Sequence, residues 1–241
     1  MRLVIIGGTG ALSLVPAGSR TDDGVQTPFG SPSAPFMHWR QGEHELYFLA
    51  RHGMEAAIAP HRVNYRANIW AVHELAPDAV LGVNAVGGIH PAAAPGELLL
   101  PDQLIDYTWG REHTFETGSA RPVRHLEFTR PFDGPFRTEL IQAAEQGAVT
   151  GLLTGCYGAT QGPRLETAAE IDRLERDCCA VVGMTAMPEA SLARELELDY
   201  AVCAVVVNYA AGRHPTSAGI HAQIEQSIAA GMARVEQLLD T

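Results

Sequence analysis

The segment from Gly162 to Asn208 holds the residues best suited to chemistry: an acid (Glu166), a Met-Thr pair (Met184, Thr185) and an amide (Asn208). Each stands at the edge of an expected helix or strand, and in α/β proteins ligands sit at those edges. An acid and an amide can read one face of a purine, one accepting and the other donating. A hydroxyl and backbone N–H groups can hold a phosphate. Three further strand ends offer donors. Gly7-Gly8-Thr9-Gly10 follows an apolar run and can aim N–H groups and the Thr9 hydroxyl at an anion. Arg51-His52-Gly53 adds a forked guanidinium and an imidazole, although His52 reads equally well as a packed structural histidine. Asn84-Ala85-Val86-Gly87-Gly88 ends another strand, where a ligand can lie against backbone that carries no Cβ. Singly, each is also an ordinary sheet turn; four together are harder to ascribe to accident.

Other chemistries fit poorly. A dinucleotide site needs GxGxxG and an acid about 20 residues later. Here Ser13 occupies the third glycine position, and Asp22 and Asp23 come too early. No HExxH or HxH pattern appears among the ten histidines, so no metal is expected. Ser191 and Ser217 lack a GxSxG elbow. The cysteines (156, 178, 179, 203) show no CxxC spacing, which suits a reduced cytoplasmic protein.

These residues need a scaffold. Apolar runs predict strands at Arg2–Ile6, Glu45–Ala50, Ala79–Val86, Gly151–Tyr157, Ala180–Gly183 and Tyr200–Val207, with a further stretch at Glu97–Ile105 interrupted by Pro101. Helical spacing predicts helices at Asn64–Ala76, Thr138–Glu145, Glu166–Asp177, Glu189–Glu197 and Ser217–Leu239. Residues 18–36 read as a loop with an edge segment, and Asp106–Arg130 as a polar, aromatic excursion. Alternating strands and helices predict an α/β fold: a mixed, largely parallel twisted sheet flanked by helices, forming a single domain over residues 1–241. The 17 Lys and Arg against 28 Asp and Glu leave a net charge of −11, which argues against nucleic acid and anionic membrane as partners. No apolar run reaches the roughly 18 residues of a membrane span.

Ordered motifs carry a resemblance over nearly the whole chain. GTG at 8–10, RHG at 51–53, HRVNYRAN at 61–68, NAVGG at 84–88, PDQLIDYTWGR at 101–111, GPRLET at 162–167 and VGMTAMPEA at 182–190 resemble the trimeric purine nucleoside phosphorylases, the 5′-methylthionucleoside branch most of all. The resemblance implies a phosphorolysis of nucleoside and inorganic phosphate to free purine and ribose 1-phosphate, with no cofactor, in a homotrimer. By resemblance, Thr9, Arg51, His52, the Ala85 backbone and Thr185 bind phosphate, and Met184 lies under the ribose. Leu165 stands where the family usually has a base-stacking Phe; Asn84 also departs from the common residue. Glu166 and Asn208 match the catalytic acid and amide of the oxopurine enzymes, contacting N1 and O6/N7. His125 resembles a residue reaching the 5′ end of the substrate from a neighbouring subunit.

Donors and acceptors then choose the base. A 6-oxopurine presents N1–H as donor and O6 as acceptor, which suits carboxylate Glu166 and amide Asn208; adenine reverses this edge. Adenine-selective members carry Asp at the Asn208 position, so hypoxanthine is the expected leaving base. The 5′ substituent stays open. The family branch implies S-methyl-5′-thioinosine, with Met184, Leu165 and Ile224 as apolar lining. His221, near the start of the last helix, keeps inosine and guanosine as alternatives, and methylthioadenosine is a third. A non-catalytic nucleotide-binding protein and, from the GTG turn alone, an NAD-type oxidoreductase are the readings from other classes.

Overall fold

The apolar runs become the strands of one ten-stranded sheet. A computed structural model describes residues 1–22, 24–116, 118, 124–149, 154–214 and 221–240, with the backbone alone at 147–148 and 221–223. In chain order the elements are β1 (Arg2–Gly7), β2 (Arg20–Thr21), β3 (Met37–Gln41), β4 (His44–Ala50), α1 (Tyr65–Glu74), β5 (Ala79–Gly88), β6 (Leu98–Leu99) and β7 (Gln103–Asp106). There follow α2 (Pro135–Ala143), β8 (Cys156–Ala159), α3 (Ala168–Arg176), β9 (Cys179–Gly183), α4 (Ala186–Glu195), β10 (Tyr200–Tyr209) and α5 (His221–Leu239).

Parallel pairing dominates at the centre: β4 with β1, β1 with β5, β5 with β10, and β7 with β8 and β8 with β9. Antiparallel pairs add the edge strands β2 and β3, the short β6, and the junction of β5 with β9. Central strands read as unbroken apolar runs because both faces are covered. Val4, Ile5, Ile6, Leu81, Val83 and residues 201–206 are all buried. On β10, Gly231 of α5 packs against Val205, while the Tyr200 hydroxyl meets Glu189 of α4. Positions 200 and 205 differ by an odd number, so α4 and α5 cover opposite faces.

Several expected boundaries shift. β3 lies just beyond the expected loop and pairs with β4 through a two-residue turn at Gly42-Glu43, in register Gln41↔His44. The strand expected at Gly151–Tyr157 is formed at Cys156–Ala159; residues 150–153 lie outside the described set. The helix expected at Thr138 starts earlier because Pro135 occupies its first turn, where a missing N–H costs nothing. Asn64 caps α1, its side chain accepting from the Ala67 N–H. Pro101 separates β6 from β7, as the interrupted stretch suggests. Residues 215–220, of which 217–220 fall in the expected final helix, lie outside the described set.

The glycine pair ending β5 has a steric cause. A Cβ on Gly88 would sit on the Ala93 carbonyl oxygen, a backbone atom that cannot rotate away. Gly88→Ala is expected to lower stability by about 1–3 kcal/mol, seen as a reduced urea midpoint.

Candidate active site

The central strand β5 changes neighbours along its length. β1 runs beside it from Leu3↔Ala79 to Gly7↔Val83 and then turns away. β9 takes over, antiparallel, at Gly87↔Val182 and Gly88↔Val181. Residues 84–86 therefore have no ladder partner on that side. The Val83 carbonyl accepts from the Gly8 N–H at 3.1 Å, so the backbone of every second residue from 83 points the same way. The Ala85 N–H thus opens into the gap. Such a divergence of strands is where open α/β sheets bind ligands.

A cleft of about 220 Å³ occupies this fork. Thr9, Arg51, His52, Ala85 and Thr185 line it, and so do Leu165, Glu166, Met184 and Asn208. Four strand ends distant in sequence thus converge on one space. His125 is exposed and outside the wall of its own chain's cleft. Ile224 is not among the described residues lining the cleft, and the side chain of His221 lies outside the described set.

The Gly8-Thr9-Gly10 turn is shaped by what it touches. A Cβ on Gly8 would come within 2.9 Å of Arg51 Nη1, and one on Gly10 would collide with Ile228 of α5. A short 3-10 turn, Ala11–Leu14, follows instead of the crossover helix a dinucleotide site requires.

Arg51 is fully buried. Its fork, Nε and Nη2, donates to the Glu189 carboxylate at 2.7 and 2.8 Å. Nη2 also donates to the Ile6 carbonyl (2.9 Å) and Asn84 Oδ1 (3.0 Å), and Nη1 donates to the Val83 carbonyl (3.1 Å). One Nη1 hydrogen remains, on the side of Gly8 and the cleft. The fork that suits a phosphate is therefore engaged by protein, and the group presents a single donor. Burial alone would weaken the guanidinium's hold on its proton, but Glu189 outweighs it and the pKa is raised. Tyr200 donates to the other side of Glu189 at 2.7 Å.

This buried network ends on Thr185. Arg51 fixes Asn84 Oδ1 as acceptor, so Asn84 Nδ2 donates to Thr185 Oγ1 at 3.0 Å. The Thr185 hydroxyl makes no capping bond to α4 and sits in the cleft wall. His52 has a defined tautomer as well. Its Nδ1 lies 2.8 Å from the Ile58 carbonyl, which can only accept, so Nδ1 carries the hydrogen and Nε2 is an acceptor when the ring is neutral. Burial, and then Arg51, lower the His52 pKa. Because the folded value is depressed, this group's contribution to stability is complete above the unfolded pKa of about 6.5 and is lost as pH falls through the folded value. His52→Asn is expected to flatten that part of the stability–pH curve, measured as urea midpoints between pH 5 and 8.

The other group of wall residues is held differently. Glu166 accepts from the Thr160 hydroxyl through Oε1 at 2.6 Å. Thr160 N in turn donates to the Gly183 carbonyl at 2.8 Å, so the acid is tied to β9. Directly after it, Thr167 and Glu170 form a capping box that starts α3. Asn208 follows a bulge between Val206 and Asn208 in the β10–β5 register. Its Nδ2 donates one hydrogen to the Tyr209 carbonyl at 2.7 Å, which fixes the amide's orientation and leaves the other hydrogen available. Leu165 is 52% exposed and presents an apolar surface at the mouth.

Sequence reading assigned no role to Glu189 or Thr160, and took Asn84 only as part of a strand end, not as the link between Arg51 and Thr185. Glu189 carried one visible signal, a lone charge inside the mostly apolar run 186–193. Thr167-x-x-Glu170 likewise spelled a capping box that places the start of α3.

Comparison with known proteins identifies the family. The model of the phosphorylase superfamily matches residues 2–241. A Pseudomonas syringae protein described as a probable S-methyl-5′-thioinosine phosphorylase is 48% identical, covering 98% of this chain and 95% of its own. A Pyrococcus furiosus 6-oxopurine nucleoside phosphorylase is 43% identical, covering 88% of this chain and 80% of its own. The structure of Schistosoma mansoni methylthioadenosine phosphorylase with adenine superposes with a TM-score of 0.88 at 30% identity, over 100% of this chain and 90% of that one. The fold, the forked cleft and a match spanning the chain lead to one conclusion: this protein belongs to the phosphorylase superfamily.

Proposed function

We propose that the protein catalyses phosphorolysis of a 6-oxopurine nucleoside, S-methyl-5′-thioinosine foremost, giving hypoxanthine and 5-methylthioribose 1-phosphate. The observation that carries this reading is the placement of Glu166 and Asn208 in one cleft with Thr9, Arg51, His52, Ala85 and Thr185. The names of the 48% and 43% identical relatives support the substrate class.

In this reading phosphate lies at the fork. It accepts from the Ala85 N–H, the Thr9 and Thr185 hydroxyls and the remaining Arg51 Nη1 hydrogen. The acceptor Nε2 of neutral His52 takes the hydrogen of a monoprotonated phosphate. Met184 and Leu165 pack against the sugar and base. Glu166 accepts from N1–H, and the free Asn208 hydrogen goes to O6 or N7. As the glycosidic bond breaks, C1′ gains oxocarbenium character and the purine gains negative charge. Asn208 stabilises that charge, and phosphate captures C1′. No covalent enzyme intermediate, cofactor or metal is required by these steps.

The active assembly in this reading is a homotrimer in which His125 of one chain reaches the 5′ end of a substrate in the next, its exposure on its own chain being compatible with that role. The exposed indole of Trp109 (73%) belongs to the same excursion, 106–130. Among the described residues no helix is long and apolar enough to cross a membrane. The test is release of hypoxanthine with and without inorganic phosphate: strict dependence supports phosphorolysis, and equal release without phosphate would point to hydrolysis.

A further inference from the structure

Arg111 lies outside the cleft wall yet reaches the supports of both groups of wall residues. Its Nη1 donates to the Met187 carbonyl at 2.6 Å and the Met184 carbonyl at 2.8 Å, with the Tyr65 hydroxyl at 3.3 Å. Its Nη2 donates to the Gln161 carbonyl at 2.8 Å and the Thr160 carbonyl at 3.2 Å, and Nε to Gln161 Oε1 at 3.2 Å. The guanidinium lies over the Tyr65 ring, 5.5 Å from its centroid.

The four carbonyls belong to two chain segments that leave the sheet side by side. The β8–β9 ladder ends at Ala159↔Gly183. Beyond it, Thr160-Gln161 leads to Glu166, and Met184–Met187 carries Met184 and Thr185 of the cleft wall. Past the last ladder bond these carbonyls lack strand partners, and buried acceptors must find donors elsewhere. A planar guanidinium with five donors can meet acceptors on two sides at once, whereas an ammonium has three donors about one point. Thr160, held by its carbonyl, holds Glu166 by its hydroxyl at 2.6 Å. A line of hydrogen bonds therefore runs from the acid through Arg111 to the residue preceding Thr185.

The charge of Arg111 is also unlike that of Arg51. Arg51 is neutralised by Glu189. Among the described residues no carboxylate lies within ion-pair distance of Arg111, and its neighbour Glu112 pairs with Arg66 at 3.3 Å. Carbonyl dipoles solvate the guanidinium without cancelling its charge, so it remains a full positive charge one residue from Thr185.

We propose that Arg111 is a positioning residue that ties the base-reading segment, 160–166, to the segment carrying Met184 and Thr185, and keeps an uncancelled positive charge beside the phosphate subsite. It rests on the phosphorolytic reading for what the two segments bind, but the tie itself does not. The tie sets the distance between the purine edge and phosphate, and a misplacement of about 1 Å can cost about 100-fold in rate.

The experiment compares wild type, Arg111→Met and Arg111→Lys. Met keeps apolar bulk over Tyr65; Lys keeps the charge and loses the fork. Backbone hydrogen exchange is expected to rise in 160–166 and 184–187 together in both variants, with the strands β1 and β5 unchanged. For turnover, kcat/KM for nucleoside is expected to fall about 100-fold in both, whereas KM for phosphate rises more in Arg111→Met than in Arg111→Lys. Added guanidinium ion is expected to restore part of the activity of an Arg111→Ala variant. Exchange unchanged in either segment, or Arg111→Lys with wild-type kinetics, overturns the proposal. So does a rise in exchange spread evenly over the whole chain, which marks a global loss of stability. If wild type itself shows no phosphate-dependent turnover, the functional reading fails, and the exchange measurement still decides the tie.

Discussion

Replacing Glu189 with alanine is expected to destabilise the protein by about 3–5 kcal/mol, because it leaves the fully buried Arg51 guanidinium without its counter-charge. Both partners have zero side-chain exposure, so water cannot replace the lost carboxylate. Three other groups still accept from Arg51: Ile6 O, Val83 O and Asn84 Oδ1. They solvate it only as dipoles, and the hydroxyl of Tyr200 loses its acceptor at the same time. The urea midpoint of Glu189→Ala is the measurement. A second comparison separates stability from function. In the double variant Arg51→Met with Glu189→Leu the buried charges vanish together, and part of the stability is expected to return, since well-packed apolar replacements of buried ion pairs are often neutral or better. Phosphate affinity is expected to stay weak in that variant, because the Nη1 donor is gone and Asn84 is no longer oriented. Recovery of both would show that the network serves folding alone.

Asn208 should decide which purine reacts. One amide hydrogen is held by the Tyr209 carbonyl at 2.7 Å and the other is available for O6 or N7. Asn208→Ala removes a donor aimed at charge that develops as the base leaves, and kcat with S-methyl-5′-thioinosine is expected to fall about 10²–10³-fold. Asn208→Asp replaces the donor by an acceptor. It should repel O6 and accept from the exocyclic amine of adenine, moving the ratio of kcat/KM toward methylthioadenosine. The shift is limited by Glu166, whose carboxylate, supported by Thr160, still faces the N1 lone pair of adenine. Parallel progress curves on the two nucleosides give the ratio; an unchanged ratio in Asn208→Asp would remove Asn208 from base selection.

The parts of the site legible in sequence were those where one short motif carries both the turn and the donor. Gly8-Thr9-Gly10, Arg51-His52 and Asn84-Ala85 each end an apolar run, and the run itself marks the strand that aims them. Glu189 was not legible because its role depends on Arg51, 138 residues away, and an acid in a helix otherwise reads as solvated. Arg111 was hidden for the same reason, since its partners are backbone carbonyls that no residue type announces. β3 escaped because edge strands need only one apolar face, and Met37–Gln41 has a single buried residue. The turn chemistry at Gly42-Glu43 was the available clue. Pro135 marks the start of α2 as a first-turn residue, three positions before the expected Thr138. Local chemistry was readable, whereas pairings between distant segments needed the fold.

The central claim is that Glu166 and Asn208 select a 6-oxopurine for cleavage by phosphate. Initial rates of base release from S-methyl-5′-thioinosine and methylthioadenosine, side by side at saturating phosphate and again without it, test it most directly. The account predicts phosphate-dependent release with kcat/KM for S-methyl-5′-thioinosine well above that for methylthioadenosine. Preference for methylthioadenosine, or release from either that is indifferent to phosphate, would contradict it.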